Sequence, residues 1–224
     1  VGITTETTDR DRYGILEEKL LTGATVITAV RTIASLVLVG IAAQREDLTW
    51  LVAGLVVYWI GDMADGAWAR WRNCETRIGA VIDILCDRAN CAGFYVGLAW
   101  IMPEVGPAVW VYLFNFMVID CFLSIAFLAW PVRSPNYFHV IDERIYRWNW
   151  SKPAKAVNSA LFAVLLLVTG WMWVGLVIAL ALTVLKLVSL KWLVQLGLPT
   201  PTDWDAHLTA ASTAQSGTTH PHPA

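Results

Sequence analysis

Between residues 23 and 196 the chain is almost one continuous apolar stretch, cut by short polar links into runs of about 20 residues each. A helix of that length matches the hydrocarbon thickness of a bilayer. Inside lipid the backbone must satisfy its own polar groups, which a helix does within one segment. The pattern therefore predicts an all-α, polytopic membrane protein. Spans are expected over 23–43, from 48 into a run that stays apolar to about Ile60, and over 78–101, 108–130, 154–170 and 173–196, six transmembrane helices in all. Mean hydropathy is +0.54 and charged residues make up only 15%, which fits one membrane domain over 23–196. The polar N-terminal segment, 1–22, shows no cleavable signal pattern. Its residues 13–22 read either as a short amphipathic helix on the membrane surface or as an extension of the first span. The Thr-, Ala-, Ser-, Pro- and His-rich tail, 197–224, is expected to be disordered and cytoplasmic.

Six spans place both termini on one side, and the basic residues decide which. The links after the second and fourth spans carry Arg70, Arg72, Arg77, Arg133, Arg144, Arg147, Lys152 and Lys155, whereas the opposite links carry Arg45. Positive charge stays inside. Both termini, the segment around residues 62–87 and the link 131–155 are therefore expected at the cytoplasmic face of the cell membrane. The 13 tryptophans gather near the span ends, as in an interfacial belt. A net charge of −2 gives no reason to expect a nucleic-acid partner. Cys74, Cys86, Cys91 and Cys121 form no C-x-x-C pair and read as small buried residues.

Against this apolar background, Asp62, Asp65, Asp83 and Asp87 stand out. Ionisable groups in membrane segments are costly and mark functional sites. Asp62 and Asp65 are spaced i,i+3 and Asp83 and Asp87 i,i+4, so each pair shares one helix face. A short link makes the two helices antiparallel neighbours, and the carboxylates can converge on one volume. Their repulsion calls for cations, and oxygen ligands suit two Mg²⁺ or Mn²⁺ ions. Gly66, Ala69 and Gly79 keep the region open to a ligand or a neighbouring helix, and Arg70 adds a charge suited to phosphate. Phosphoryl-type chemistry on a diphosphate follows. A divalent-cation carrier would also converge carboxylates, but leaves Arg70 and the small residues without a role.

The spacing D-x2-D-G-x2-A-R-x8-G-x3-D-x3-D is filled at every fixed position by Asp62, Asp65, Gly66, Ala69, Arg70, Gly79, Asp83 and Asp87. In this the chain resembles the CDP-alcohol phosphotransferases. The resemblance implies transfer of a substituted phosphate from a CDP-linked donor to an acceptor hydroxyl, with release of CMP. It implies two metal ions held by the four aspartates, Asp87 as the base toward the acceptor, and a CDP site formed by Asp62, Gly66, Ala69, Arg70 and Gly79. It also implies a homodimer among membrane lipids.

Features outside the motif bear on the substrates. CDP-diacylglycerol is the expected donor, since its tails can lie between spans, with a soluble CDP-alcohol as the alternative. Thr28 and Arg31 form a T-x-x-R pattern that resembles phosphatidylglycerophosphate synthases. Arg31 reads either as a phosphate-holding residue or as an arginine paired with one of the aspartates or snorkelling to the surface. Lys152 and Lys155, in S-K-P-A-K, resemble a lysine segment of the same subfamily. With Arg31 and Arg133 they are candidate acceptor-binding residues. Thr76-Arg77 and the run through Asp87 instead resemble phosphatidylinositol phosphate synthases, although the segment from Asp142 to Arg147 departs from their acceptor motif. Glycerol 3-phosphate, inositol phosphate and other alcohols all stay open as acceptors.

Overall fold

The structure, a computed structural model, describes residues 19–199. Within them the expected order of long helices is present. The first three are α1 (Gly23–Arg45), α2 (Leu48–Trp71) and α3 (Arg77–Ile101). Each begins at a residue whose side-chain oxygen accepts a first-turn amide: Thr22 from Thr25, Asp47 from Thr49 and Thr76 from Gly79. These amides have no partner inside their own helix, so the caps fix where each helix starts. Helix α2 runs without a break from its apolar part through Asp62 and Asp65 to Trp71.

The fourth rod, α4 (Pro103–Ala129), starts earlier than the 108 expected from sequence. Pro103 and Pro107 occupy first-turn positions of successive helical segments, where the missing amide hydrogen costs nothing. The rod widens to π geometry over Asn115–Asp120 and tightens to a 3-10 turn over Ala126–Ala129.

Next come a 3-10 turn, Pro135–Val140, and a short helix, α5 (Glu143–Asn149). Helix α6 (Lys152–Thr169) follows, and α7 (Met172–Leu196) closes the bundle. Gly170, in the left-handed region at φ 60°, ends α6 and makes the α6–α7 boundary. Helices α1, α2, α4, α6 and α7 are long and apolar enough to cross a membrane. Helix α3 has the length but carries Arg77, Asp83, Asp87 and Arg88. The fold is that of an all-α polytopic membrane protein. Residues 13–18 of the proposed surface helix lie outside the described residues, and 19–22 are not helical. The tail from residue 200 also lies outside them.

Two apolar clusters hold the bundle. One surrounds the rings of Tyr95, Tyr112 and Phe162, with the Tyr112 and Phe162 rings stacked at 4.3 Å. The other lies toward the basic end and contains Phe127, Phe138, Ile145, Trp150 and Leu193. Phe138, Ile145 and Trp150 come from the segment read as a polar link. That segment is therefore folded against the ends of α4 and α7. The polar link after α2 is tied to the same structure. Arg77 donates from Nη2 to the carbonyls of Leu128 and Trp130, at 2.5 and 3.2 Å.

Helices α1 and α2 pack closely at Gly61, where an added Cβ would stand 2.5 Å from Arg31 Cβ. Gly40, by contrast, has nothing within 4 Å of that position. Gly61→Ala is expected to cost about 1–3 kcal/mol through overpacking. Gly40→Ala should leave melting of the detergent-solubilised protein unchanged or raised, since alanine favours the helix. Indistinguishable melting curves for the two variants would contradict this packing.

Candidate active site

The aspartates meet around one side chain. Arg31 enters from α1, 3% exposed, and passes Gly61 and the Tyr58 ring. Its Nε lies 2.8 Å from Asp65 Oδ2. Its Nη2 lies 2.6 Å from Asp83 Oδ1, 3.0 Å from Asp87 Oδ1 and 3.4 Å from Asp62 Oδ1. Thr28, one helical turn earlier, donates its hydroxyl to Asp65 Oδ2 at 2.7 Å. The T-x-x-R spacing thus puts a hydroxyl and a guanidinium on the α1 face that meets α2 and α3. Of the two readings of Arg31, the ion-paired one describes this geometry.

The four carboxylates are not equivalent. Asp65 is buried, and its Oδ2 accepts hydrogen bonds from both Thr28 and Arg31. Asp62, Asp83 and Asp87 are partly open, and one oxygen from each lies within 4.8 Å of the others. Three carboxylates therefore converge on a common point, with the fourth turned toward α1. An all-oxygen set of this kind suits a hard divalent cation. Arg31 places its charge in the middle of that set, with Nη1 buried and without a hydrogen-bond partner.

The aspartates form a wall between two cavities. The first, about 100 Å³, is lined by Asp65, Gly66, Ala69, Arg70, Gly79, Asp83 and Arg133. Six of these belong to the motif, whereas Asp62 and Asp87 line only the second. The Arg70 guanidinium lies over Gly66, where an added Cβ would stand 3.2 Å from Nη1. At Gly79 a Cβ would meet the Thr76 hydroxyl at 2.7 Å, so this glycine admits the cap that starts α3. Glu75 accepts a hydrogen bond from the Tyr137 hydroxyl at 2.6 Å, which joins the two basic links and holds that phenol above its ordinary pKa.

The second cavity, about 240 Å³, is lined by Asp62, Asp83 and Asp87, and further in by Arg88, Asn115, Asp120 and Lys186. The sequence-predicted acceptor residues divide between the two. Lys155 lines the second cavity, with its Nζ 2.7 Å from Asn136 Oδ1. Arg133 lines the first, beside the motif residues. Lys152 is exposed and lines neither.

Sequence reasoning missed the inner residues of the second cavity. The signal was present, since Asp120 and Lys186 are single charges inside apolar runs. Both lie outside the motif, and only the tertiary structure joins them.

Comparison with known proteins bears on this geometry. A family model described as CDP-alcohol phosphatidyltransferase matches residues 21–185. A phosphatidylinositol phosphate synthase of Mycobacterium tuberculosis is 41% identical over 78 residues, 34% of this chain and 35% of that protein. One from Mycobacteroides abscessus is 36% identical over 74 residues, 33% of this chain and 34% of that protein. One from Mycolicibacterium smegmatis is 37% identical over 73 residues, 33% of this chain and 31% of that protein. The alignments thus span about a third of the length of each relative. No solved structure matches the chain.

Removing the Arg31 charge leaves the carboxylates facing one another without a counter-ion. Breaking a buried charge pair on one side costs about 3–5 kcal/mol. Arg31→Ala should therefore melt well below the parent in chelator, and added Mg²⁺ should recover part of the loss. A melting temperature that moves neither with the substitution nor with Mg²⁺ would show that Arg31 does not balance the cluster.

Proposed function

Because the chain belongs to the CDP-alcohol phosphatidyltransferase family, we propose that it transfers a phosphatidyl group from CDP-diacylglycerol to the hydroxyl of a small alcohol, releasing CMP. The observation that carries this reading is the aspartate wall. One side of it is lined by the small residues and arginine of the motif, the other by Asp87. A divalent-cation carrier would account for the carboxylates, but not for a cavity built from Gly66, Ala69, Arg70 and Gly79 beside them.

In this reading the first cavity takes the cytidine nucleotide. Arg70 and Arg133 balance the charge of the diphosphate, and Gly66 lets it approach α2. Asp62, Asp83 and Asp87 would hold divalent ions, with Asp65 as the inner ligand once Arg31 yields it. Bound Mg²⁺ or Mn²⁺ supplies electrophilic stabilisation of the diphosphate oxygens. The acceptor enters the second cavity. Asp87 lines that cavity and not the first, as the base for an acceptor hydroxyl should. It takes the hydroxyl proton as the acceptor oxygen bonds to the phosphatidyl phosphorus, and the anhydride oxygen leaves with CMP.

The protein works as a homodimer in this proposal. The active site faces the cytoplasm, because Arg70, Arg72, Arg77 and Arg133 cluster at the site's end of the bundle. Glycerol 3-phosphate and inositol phosphate are the acceptors suggested by the two partial subfamily likenesses.

Asp87→Asn keeps the shape of the side chain and removes the base. In lipid nanodiscs it should reduce CMP release by about 10²-fold or more, within the usual range for losing general base catalysis. Its melting temperature should stay close to that of the parent. Turnover within a few-fold of the parent would remove Asp87 from the base role. Excess chelator should stop CMP release by the parent protein, and Mg²⁺ or Mn²⁺ should restore it. Turnover that continues in chelator would refute the metal-assisted reading.

A further inference from the structure

Beyond Asp87 the second cavity ends in a buried charged cluster that the transfer step does not use. Asp120 of α4 receives Arg88 Nη2 of α3 at 2.6 Å and Lys186 Nζ of α7 at 2.5 Å. The Arg88 and Lys186 side chains are 8% and 4% exposed. Most of their other donors are committed too, although Arg88 Nε is buried without a hydrogen-bond partner. Arg88 Nη2 also bonds Ser124 Oγ at 3.0 Å, and Nη1 bonds the Phe116 carbonyl at 3.0 Å. Lys186 Nζ bonds Asn149 Oδ1 at 2.8 Å. Two buried cations at the inner end of a cavity would attract an anion. Here the protein provides that anion itself. A phosphate entering this end would have to share the cations with a buried carboxylate beside it, an unfavourable like-charge contact.

The same cavity presents hydrogen-bonding groups with nothing to bind. Asn115, 2% exposed, makes no side-chain hydrogen bond among the described residues, and its Oδ1 is buried. The Oδ1 of Asn158 is likewise buried without a partner. Both residues line the cavity. Asn115 and Asp120 are the first and last residues of the π stretch in α4, the wide turn that interrupts its regular α-helix. Amide oxygens only accept hydrogen bonds. A ligand that satisfies them brings O–H donors, and an ionised phosphate brings none.

Resting on the transfer reading above, we infer that the second cavity selects an uncharged polyhydroxyl acceptor. Asn115 and Asn158 bind its inner hydroxyls, and Asp120 is the residue that turns away acceptors bearing a phosphate monoester. Asp120 acts by occupying Arg88 and Lys186. This departs from the phosphorylated acceptors that the partial sequence likenesses suggest. The competing arrangement holds an acceptor phosphate at the cavity mouth on Lys155, where it avoids the inner cluster.

The test uses the full chain in nanodiscs with CDP-diacylglycerol and Mg²⁺, and measures CMP release for matched acceptors. The pairs are glycerol with glycerol 3-phosphate, and myo-inositol with inositol 1-phosphate. The parent protein should favour one uncharged member by at least tenfold in kcat/KM. Asp120→Asn should narrow or reverse that preference. Asn115→Leu should raise KM for the uncharged acceptor about tenfold with a smaller change in kcat, and it leaves the charged cluster intact if Asp120→Asn does not fold. A parent that prefers the phosphorylated member, and loses that preference in Lys155→Ala, would overturn the inference and leave the transfer reading standing. CMP release with no acceptor of either kind, together with no CDP-induced rise in melting temperature, would instead count against the transfer reading itself.

Discussion

The arrangement of the site depends on one side chain placed among four acids. Arg31 satisfies carboxylates from two other helices at once, so it fixes α1, α2 and α3 relative to one another at the depth of the motif. Isolated charges at that depth would be costly. A guanidinium suits this place because its planar fork of donors can serve several oxygens, and because it keeps its charge when buried. The packing around it follows. Gly61 has no side chain because Arg31 occupies that space, and Thr28 sits one turn back to give a second hydrogen bond to the Asp65 oxygen that Arg31 holds. One arginine cannot equally balance four carboxylates, however. The three partly open ones are left short of positive charge, which is the electrostatic condition for binding further cations.

A second cluster repeats this logic with the signs exchanged. Around Arg31 one cation meets four anions. Around Asp120 one anion meets two cations, contributed by α3 and α7. Helix α3 takes part in both, through Asp83 and Asp87 on one side and Arg88 on the other. This explains why α3 has the length of a span but not its apolarity. Its polar residues face the cavities and neighbouring helices rather than lipid. The two clusters together line a polar interior within an apolar shell, where the shell's exposed Val, Leu and Trp side chains suit lipid contact.

Much of this was legible in the sequence. The apolar runs set the number and order of the helices, because backbone hydrogen bonding in lipid admits few alternatives. The motif placed its glycines, alanine and arginine on one cavity, because fixed spacing on two helices fixes relative position. Three features were not legible in full. The pairing of Arg31 with the aspartates was one of two readings, and its choice depends on a residue more than 30 positions from the nearest aspartate of the motif. The start of α4 was misplaced because proline reads as a breaker but serves as a first-turn residue. The segment from Pro135 to Trp150 read as a link because Phe138, Ile145 and Trp150 are scattered among charges. Burial of these residues becomes apparent only against α4 and α7, whose ends the sequence alone does not bring together.

The folded link changes what the second cavity is. A loose polar link would leave the adjoining side of the cavity open to water, and selection would then rest on the motif alone. Instead Ser134, Pro135, Asn136, Asn149 and Trp150 line that side, anchored by the Phe138 and Trp150 rings packed at 5.1 Å. The inner end is closed by the Asp120 cluster. The contents of the cavity are therefore set by residues from α2, α3, α4, α6, α7 and the link, none of which belongs to the eight-position motif apart from the wall aspartates Asp62, Asp83 and Asp87. On the proposed reading, donor chemistry and acceptor choice rest on two sets of residues that meet at Asp83. Such a division would let the acceptor change through the second set while the carboxylates, their spacing and their arginine stay as they are. It also gives a physical reason why a short, well-matched motif identifies the reaction and leaves the acceptor unnamed.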